Sequence, residues 1–433
     1  MTRKMKDSGV EWIGMIPDGW TLGRIGELYS ERNQKVSDVD YPPLSVTMQG
    51  VLPQLANVAK TDAHDDRKLV RCGDFAINSR SDRRGSCGIA DRDGSVSLIN
   101  TVLCPRNEMN PRYYNWLFHT TMFADEFYKW GHGIVDDLWT TRWADMKQMS
   151  VPCPSLSEQK RIAEYLDAKC AVIDDVIAKT TESIEEYKKL KQAVITEVVT
   201  KGVRGKRPMK DSGIDWIGQI PKEWNVSRVG RLCFVTKLAG FEFTDVMMNN
   251  ISSEGDVPIV RAQNIKMGKF IDSINEFIST DLSLRLNRCA LDKTCLLITF
   301  IGAGIGDVAL FDKAMRYHLA PNVAKIEIES DMHRFIGERF LLYFLMSSSG
   351  QEEVNKIKKA TAQPSLSMET IRSIKCIVPD TLEEQREIAD YLDSKCAAID
   401  TLISKKQQFI DELTAYKKSL IYEFVTGKKE VPA

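Results

Sequence analysis

LSEQKRIAEYLDAKCAVIDDVIAK, residues 156–179, returns as LEEQREIADYLDSKCAAIDTLISK, residues 382–405, with 15 of 24 positions identical. Both copies sit inside longer stretches with a seven-residue apolar rhythm. In 158–200 the rhythm falls on Leu166, Ile173, Thr180, Tyr187 and Val194, with Cys170, Ile177, Ile184 and Val198 four residues after the first, second, third and fifth. In 383–426 it falls on Leu392, Ile399, Lys406, Leu413 and Leu420, with Cys396, Ile403, Ile410 and Phe424 at the matching offsets. No proline interrupts either stretch, so each reads as one long helix of roughly 65 Å at 1.5 Å per residue. Ser155 or Ser157 and Thr381 are placed to cap them. A heptad seam on an otherwise polar helix needs a partner. The economical arrangement pairs the two copies as an antiparallel coiled coil, with Leu166, Ile173, Ile177, Ile184, Leu392, Ile399, Ile403 and Ile410 in the seam. The competing arrangement packs each helix only on its own globular domain.

A second block is also written twice. MKDSGVEWIGMIPDGW (5–20) recurs as MKDSGIDWIGQIPKEW (209–224), with 11 of 16 positions identical. The segments between the repeats, about 29–152 and 233–378, share almost no identity. A frame that is kept while its inserts diverge presents two equivalent surfaces to two copies of one partner. Its inserts then do related work on two different targets.

The inserts read as mixed α/β. Residues 41–51 and 73–97, then 257–271 and 294–311, read as strands broken by turns, and 111–130 and 334–357 as helices. TKGVRGKRP (200–208) is basic and glycine-containing and reads as a linker. The expected organisation is a first globular domain over 1–153, a central helix and linker over 154–204, a second globular domain over 205–378, and a C-terminal helix over 379–433. The fold class is α/β (α+β), two globular domains in pseudo-twofold arrangement separated by the paired helices.

Composition narrows the function. Of the 433 residues 43% are hydrophobic and 27% charged, as in ordinary globular chains. No apolar run has the length of a membrane span, and the opening MTRKMKDSGVEW has no apolar stretch of a signal peptide. The ten cysteines form no CxxC and the five histidines no metal spacing. A cytoplasmic protein with reduced, structural thiols is expected. The net charge is −1, and residues 30–150 carry 15 basic and 16 acidic side chains. Any nucleic-acid contact must therefore rest on local patches or on a partner's charge.

Catalytic motifs are imitated rather than present. Tyr41-Pro42-Pro43-Leu44 lacks the carboxamide or carboxylate that amino-methyl transfer needs. Gly302-Ala303-Gly304-Ile305-Gly306-Asp307 has Asp307 where a dinucleotide fingerprint needs its third glycine, and it lies between apolar strands, so it reads as a tight turn. Asp380, Asp393 and Lys395 imitate a nuclease spacing, but Asp393 and Lys395 fall inside the long helix. What remains is recognition. Arg80, Arg83 and Arg84 crowd a turn with Ser79, where arginine can reach guanine edges or phosphates. Arg261, Gln263, Asn264 and Lys266 alternate with apolar residues, and Arg, Gln and Asn fit base edges. Gln363 and Ser365 lie in the polar loop TAQPSLS (361–367), whose counterpart is roughly 131–141. Ser45 and Thr47, in PPLSVTMQGV (42–51), complete the candidates.

Glu158-Gln159 with Tyr165-Leu166-Asp167, the recurrence Glu384-Gln385 with Tyr391-Leu392-Asp393, WIGMIP and WIGQIP, PPLSVTMQGV and TAQPSLS together resemble the specificity subunit of type I restriction–modification systems. The resemblance covers essentially the whole chain. It implies that each insert is a target-recognition domain reading one part of a split DNA sequence, with the paired helices as a spacer. It implies two methyltransferase subunits docked on the repeated surfaces, supplying S-adenosylmethionine binding and adenine-N6 methylation. It also implies restriction subunits that bring ATP- and Mg-dependent translocation and cleavage. The chain itself would hold no cofactor, no metal and no catalytic residue. A coiled-coil scaffold without DNA binding is the alternative, and a surface with no basic stripe on either insert would favour it.

Overall fold

The structure is a computed structural model that describes residues 3–54, 64–80, 83–106, 109–133, 139–360 and 364–432, the side chains of 357–360 excepted. It forms two compact units, Met1–Thr181 with Gln407–Ala433, and Glu182–Lys406. Each long helix, Leu156–Lys201 and Leu382–Val425, gives one half to each unit. Ser155 and Thr381 cap them, their hydroxyls accepting from the Glu158 and Glu384 amides at 3.3 and 3.2 Å.

Inside each unit the two half-helices pair antiparallel. In the first unit the Tyr165 and Phe424 rings lie 4.6 Å apart, and further along Lys417 bonds Asp174 at 2.6 Å. In the second, Lys191 bonds Asp400 at 2.7 Å, the same pair under the helix repeat. These ion pairs are exposed and contribute little; the seam carries the association. Leu166, Ile173, Ile184, Leu392 and Ile399 are buried, and Ile177, Ile403 and Ile410 half-buried.

The repeated frame is held the same way in both units. Met5–Asp7 pairs with Met15–Pro17, and Met209–Asp211 with Gln219–Pro221. In each, the Asp side chain accepts the glycine amide two residues on, at 2.9 Å, and that glycine has φ +71°. The positive φ explains the glycine of KDSG. Trp20 Nε1 donates to Glu158 at 2.8 Å while Arg3 pairs with the same carboxylate at 2.6 Å. Trp224 donates to Glu384 at 3.0 Å while Arg207 pairs with it at 2.5 Å. The Gln of each Glu-Gln accepts the amide that starts the insert's helix, Asn110 N at 2.8 Å and Gly337 N at 2.9 Å. The Asp of each Tyr-Leu-Asp holds one arginine and one aromatic of that helix, Arg112 and Trp116 or Arg339 and Tyr343. Each short motif thus fastens a different piece of the unit to one helix face. The basic segment after the first long helix is no slack linker, since Arg204 pairs with Glu387 at 2.7 Å and Arg207 with Glu384.

The inserts, unrelated in sequence, build the same sheet. The first orders its strands Cys87–Ile89, Phe75–Asn78, Asn100–Pro105, Tyr29–Glu31. The second orders Val308–Phe311, Cys295–Thr299, Val323–Ile328, Cys233–Lys237. All pairings in both are antiparallel. Each expected helix is broken once, into Pro111–Phe118 and Thr121–Lys129, and into Glu338–Met346 and Ser348–Ala360. The cause is one hydroxyl at the same place. Thr120 Oγ1 donates to Leu117 O at 2.7 Å and accepts from Phe123 N at 3.2 Å. Ser347 Oγ donates to Phe344 O at 2.6 Å and accepts from Gly350 N at 3.1 Å. Local hydroxyl bonding competes with the helix ladder and restarts it.

All ten cysteines are free, and seven are buried. Two histidines make folding pH-dependent. His318 is wholly buried, and burial lowers its pKa from the ordinary 6.5, against hydrogen bonds to the Leu319 and Leu286 carbonyls. His119 is lowered for the same reason. Below about pH 6.5 the unfolded chain takes up protons that the folded chain refuses, so this stability is complete above that pH and falls beneath it. His318→Gln is expected to flatten the acid slope of the second unit's melting temperature. An unchanged slope would refute the assignment.

Candidate nucleic-acid interface

The hairpin at one edge of each sheet ends in a turn between Asn78 and Ser86 or between Thr299 and Asp307. Both turns hold seven residues. Both close with a positive-φ glycine, Gly85 at +74° and Gly306 at +89°. Two backbone bonds are common to both. Asn78 N donates to Ser86 O and Thr299 N to Asp307 O, each at 2.9 Å. Ser86 N donates to Arg83 O at 3.0 Å and Asp307 N to Gly304 O at 2.9 Å. Arg80 therefore matches Ile301, Arg83 matches Gly304, and Arg84 matches Ile305. The glycine-rich run is a turn between two strands, as its sequence implies.

Each turn is joined to the polar segment that leads toward the long helix. Arg80 bridges Thr140, and Ile301 bridges Ser365. Thr141 N donates to Ser79 O at 3.0 Å, and Leu366 N to Phe300 O at 2.8 Å. The two segments sit together in both units although some 60 residues separate them in sequence.

In the first unit Arg80, Arg83 and Arg84 are exposed. Arg84 is nevertheless held. Its guanidinium lies 3.7 Å over the Tyr128 ring and 3.3 Å from Asp125. Tyr128 in turn stacks near Trp139 at 5.6 Å, and Trp139 Nε1 donates to Tyr128 O at 2.8 Å. Arg84 thus braces the turn. Next to the turn, at Ser79 and Thr140, lies a hollow of about 450 Å³ also edged by Glu31, Lys68, Arg142 and Lys147. Arg142 and Lys147 are exposed and basic, and sequence reasoning missed them. Nothing in the sequence ties them to a turn 60 residues away.

Other candidates are engaged inside the protein. Ser79 is buried with its hydroxyl on Thr101 at 2.9 Å. Thr47 closes its own hairpin, donating to Gly50 O at 3.0 Å, and Ser45 is half-buried on the same strand. The expected strand over 257–271 stops at Val260 and turns through Ala262–Asn264. Asn264 causes that turn. It is buried, accepts Arg261 N at 2.9 Å and donates to Ile271 O at 2.9 Å. Arg261 pairs with Glu276, while Gln263 and Lys266 are exposed. Ser365 is exposed beside Ile301; Gln363 lies outside the described residues. Asp393 is bound to Arg339 and Tyr343 on the long helix, away from any strand. Among the described residues, no cluster of His, Cys, Asp and Glu is placed to hold a metal, and no helix is long and apolar enough to cross a membrane.

A family model described as the type I restriction modification DNA specificity domain matches residues 221–412. The MjaVIII type I restriction enzyme specificity subunit of Methanocaldococcus jannaschii is 26% identical, across 96% of this chain and 94% of its own. The EcoBI specificity subunit of Escherichia coli is 24% identical, across 64% of this chain and 58% of its own. A solved structure concerned with complex assembly and conformational transition of the type I R-M system shares the fold at a TM-score of 0.71. The match is 16% identical and covers 96% of this chain and 99% of that one.

Proposed function

Because this chain belongs to the specificity-subunit family of type I restriction–modification systems, we propose that it reads a bipartite, asymmetric DNA target, one part with each unit. Two methyltransferase subunits dock on the repeated frame and methylate adenine N6 within that target. Restriction and translocase subunits complete the assembly. S-adenosylmethionine, ATP and Mg belong to those partners, and this chain contributes recognition without catalysis.

One observation carries the reading. Two units share a sheet, a hairpin turn and a frame, yet the side chains on the turn are unrelated. Arg80, Arg83 and Arg84 stand where Ile301, Gly304 and Ile305 stand in the other unit. Identical partner surfaces with different readers are what an asymmetric two-part target requires. A near-neutral chain suits a DNA grip that partner subunits share.

The test is to map N6-methyladenine in the host genome with and without this gene. Loss of one split, asymmetric motif is expected. An unchanged methylome, together with no DNA binding by the assembled complex, would instead favour the scaffold. In the same assay Arg83→Ala should relax one part of the motif and leave the other intact, since only the first unit carries an arginine there. Equal relaxation of both parts would count against separate readers.

A further inference from the structure

We propose that Arg80 and Ile301 are the same base-reading position in the two units, and that exchanging their side chains exchanges specificity. The proposal rests on the DNA-reading function above. It adds which position reads and what chemistry each unit uses there.

Between Asn78 and Ser86 and between Thr299 and Asp307 the turns agree in length, in their closing glycine and in two backbone hydrogen bonds. Nothing in the sequences demands this agreement, because no side chain of one turn is repeated in the other before that glycine. Shared length, closing glycine and anchoring bonds under complete replacement of the side chains mark a platform for interchangeable groups. Structural turns behave differently: the Asp-x-Gly turn of the frame keeps both its backbone and its residues.

Position singles out the second residue of the turn. Arg80 and Ile301 each make the bridge to the polar segment, so their backbones are fixed from two sides. Both side chains are nonetheless exposed, Ile301 by 37%. An isoleucine at this place fits a thymine methyl by apolar contact. Arginine at the same place fits the O6 and N7 acceptors of guanine. Thr140, which Arg80 bridges, lines the same hollow as Arg142 and Lys147, and these two supply the cations that hold a phosphate backbone in register. A fixed backbone matters here, because readout requires the side chain to start from one place each time. Arg84, clamped on Tyr128, is the brace that fixes it in the first unit. In the second unit the brace is packing: Gly306 sits so close to Val354 and Gln351 that an added Cβ would lie 2.6 Å and 2.8 Å from them.

The experiment replaces the chromosomal gene by Ile301→Arg, Arg80→Ile or the conservative Ile301→Val and maps N6-methyladenine in each strain. Ile301→Arg is expected to gain about a ten-fold preference for guanine at one base pair of the second unit's part of the motif. Arg80→Ile is expected to lose about a ten-fold preference at one base pair of the other part. Ile301→Val should change neither. If both variants leave the motif unaltered, or alter the part read by the other unit, the proposal is wrong. Uniform loss of methylation by folded variants that still bind methyltransferase would also overturn it, since the position would then grip DNA without reading it. Thermal melting identifies a folding defect, in which case Ile301→Gln repeats the test with a smaller side chain and an adenine preference as the expected gain. A wild-type strain without any split motif would refute the proposed function instead, so the two failures are distinguishable.

Discussion

Glu384→Ala is expected to destabilise the second unit by about 3–5 kcal/mol. Glu384 is 2% exposed and its carboxylate does two jobs. It accepts from Trp224 Nε1 at 3.0 Å and neutralises Arg207, whose guanidinium also lies 5.0 Å over the Trp224 ring. Removing the carboxylate leaves a largely buried guanidinium with no counter-charge, the costly way to break an ion pair. Glu384→Gln keeps an acceptor for the indole and should cost less. The repeat supplies an internal control. Glu158 makes the same two bonds to Trp20 and Arg3, but its side chain is 23% exposed, so water replaces part of what is lost. Glu158→Ala should therefore cost about 1–3 kcal/mol. Hydrogen exchange read separately over each unit, in the full chain, measures both. Equal losses in the two units would mean that burial does not set the cost.

That difference was invisible in the sequence, where the two glutamates are interchangeable. The frame itself was legible. Repetition exposed it, the heptad spacing predicted the two long helices, and Ser155 and Thr381 ahead of them predicted the caps. Leu166 and Leu392 are completely buried, and every seam position between them and the helix ends is at least half-buried. The reason is that a long helix constrains its sequence at every turn, so periodicity survives. The sheets constrain theirs far less. Ile77 and Ile298 happen to agree across the inserts, but Phe75 against Leu296 and Cys87 against Val308 do not, because a buried strand asks only for apolar volume. Equivalence of the two sheets therefore shows in hydrogen-bond register rather than in strand residues.

Side-chain roles were the least legible. Asn264 looked like an adenine reader because its chemistry fits one; it is instead the residue that turns the chain. The same amide that suits a base edge suits two backbone groups, and a buried position decides for the backbone. Arg84 looked like its neighbours until Tyr128 and Asp125 were found beneath it. Thr120 and Ser347 carried a signal that could have been used. A hydroxyl residue followed by a further Thr or Ser inside a helical pattern marks a restart, and both inserts have one there.

Gly427→Ala should destabilise the first unit by about 2–5 kcal/mol. Gly427 follows the second long helix by two residues, and its φ of +71° is left-handed, a conformation that glycine adopts freely just past helix ends. An alanine there bears the steric cost of that φ, about 1–2 kcal/mol. It also meets the frame. A Cβ would lie 2.5 Å from Pro17 Cγ and 2.9 Å from Trp20, and Trp20 is 1% exposed and bound to Glu158. Neither ring is free to withdraw, so the clash adds the cost of overpacking, about 1–3 kcal/mol. Gly205→Ala separates the two contributions. Gly205 also has positive φ, at +46°, but a Cβ there meets nothing within 4 Å. Its substitution should cost the backbone share alone. Denaturant unfolding of both variants gives the comparison. If Gly427→Ala costs no more than Gly205→Ala, the end of the second long helix is not wedged against Trp20, and the frame of the first unit must be closed by the Arg3–Glu158 pair instead.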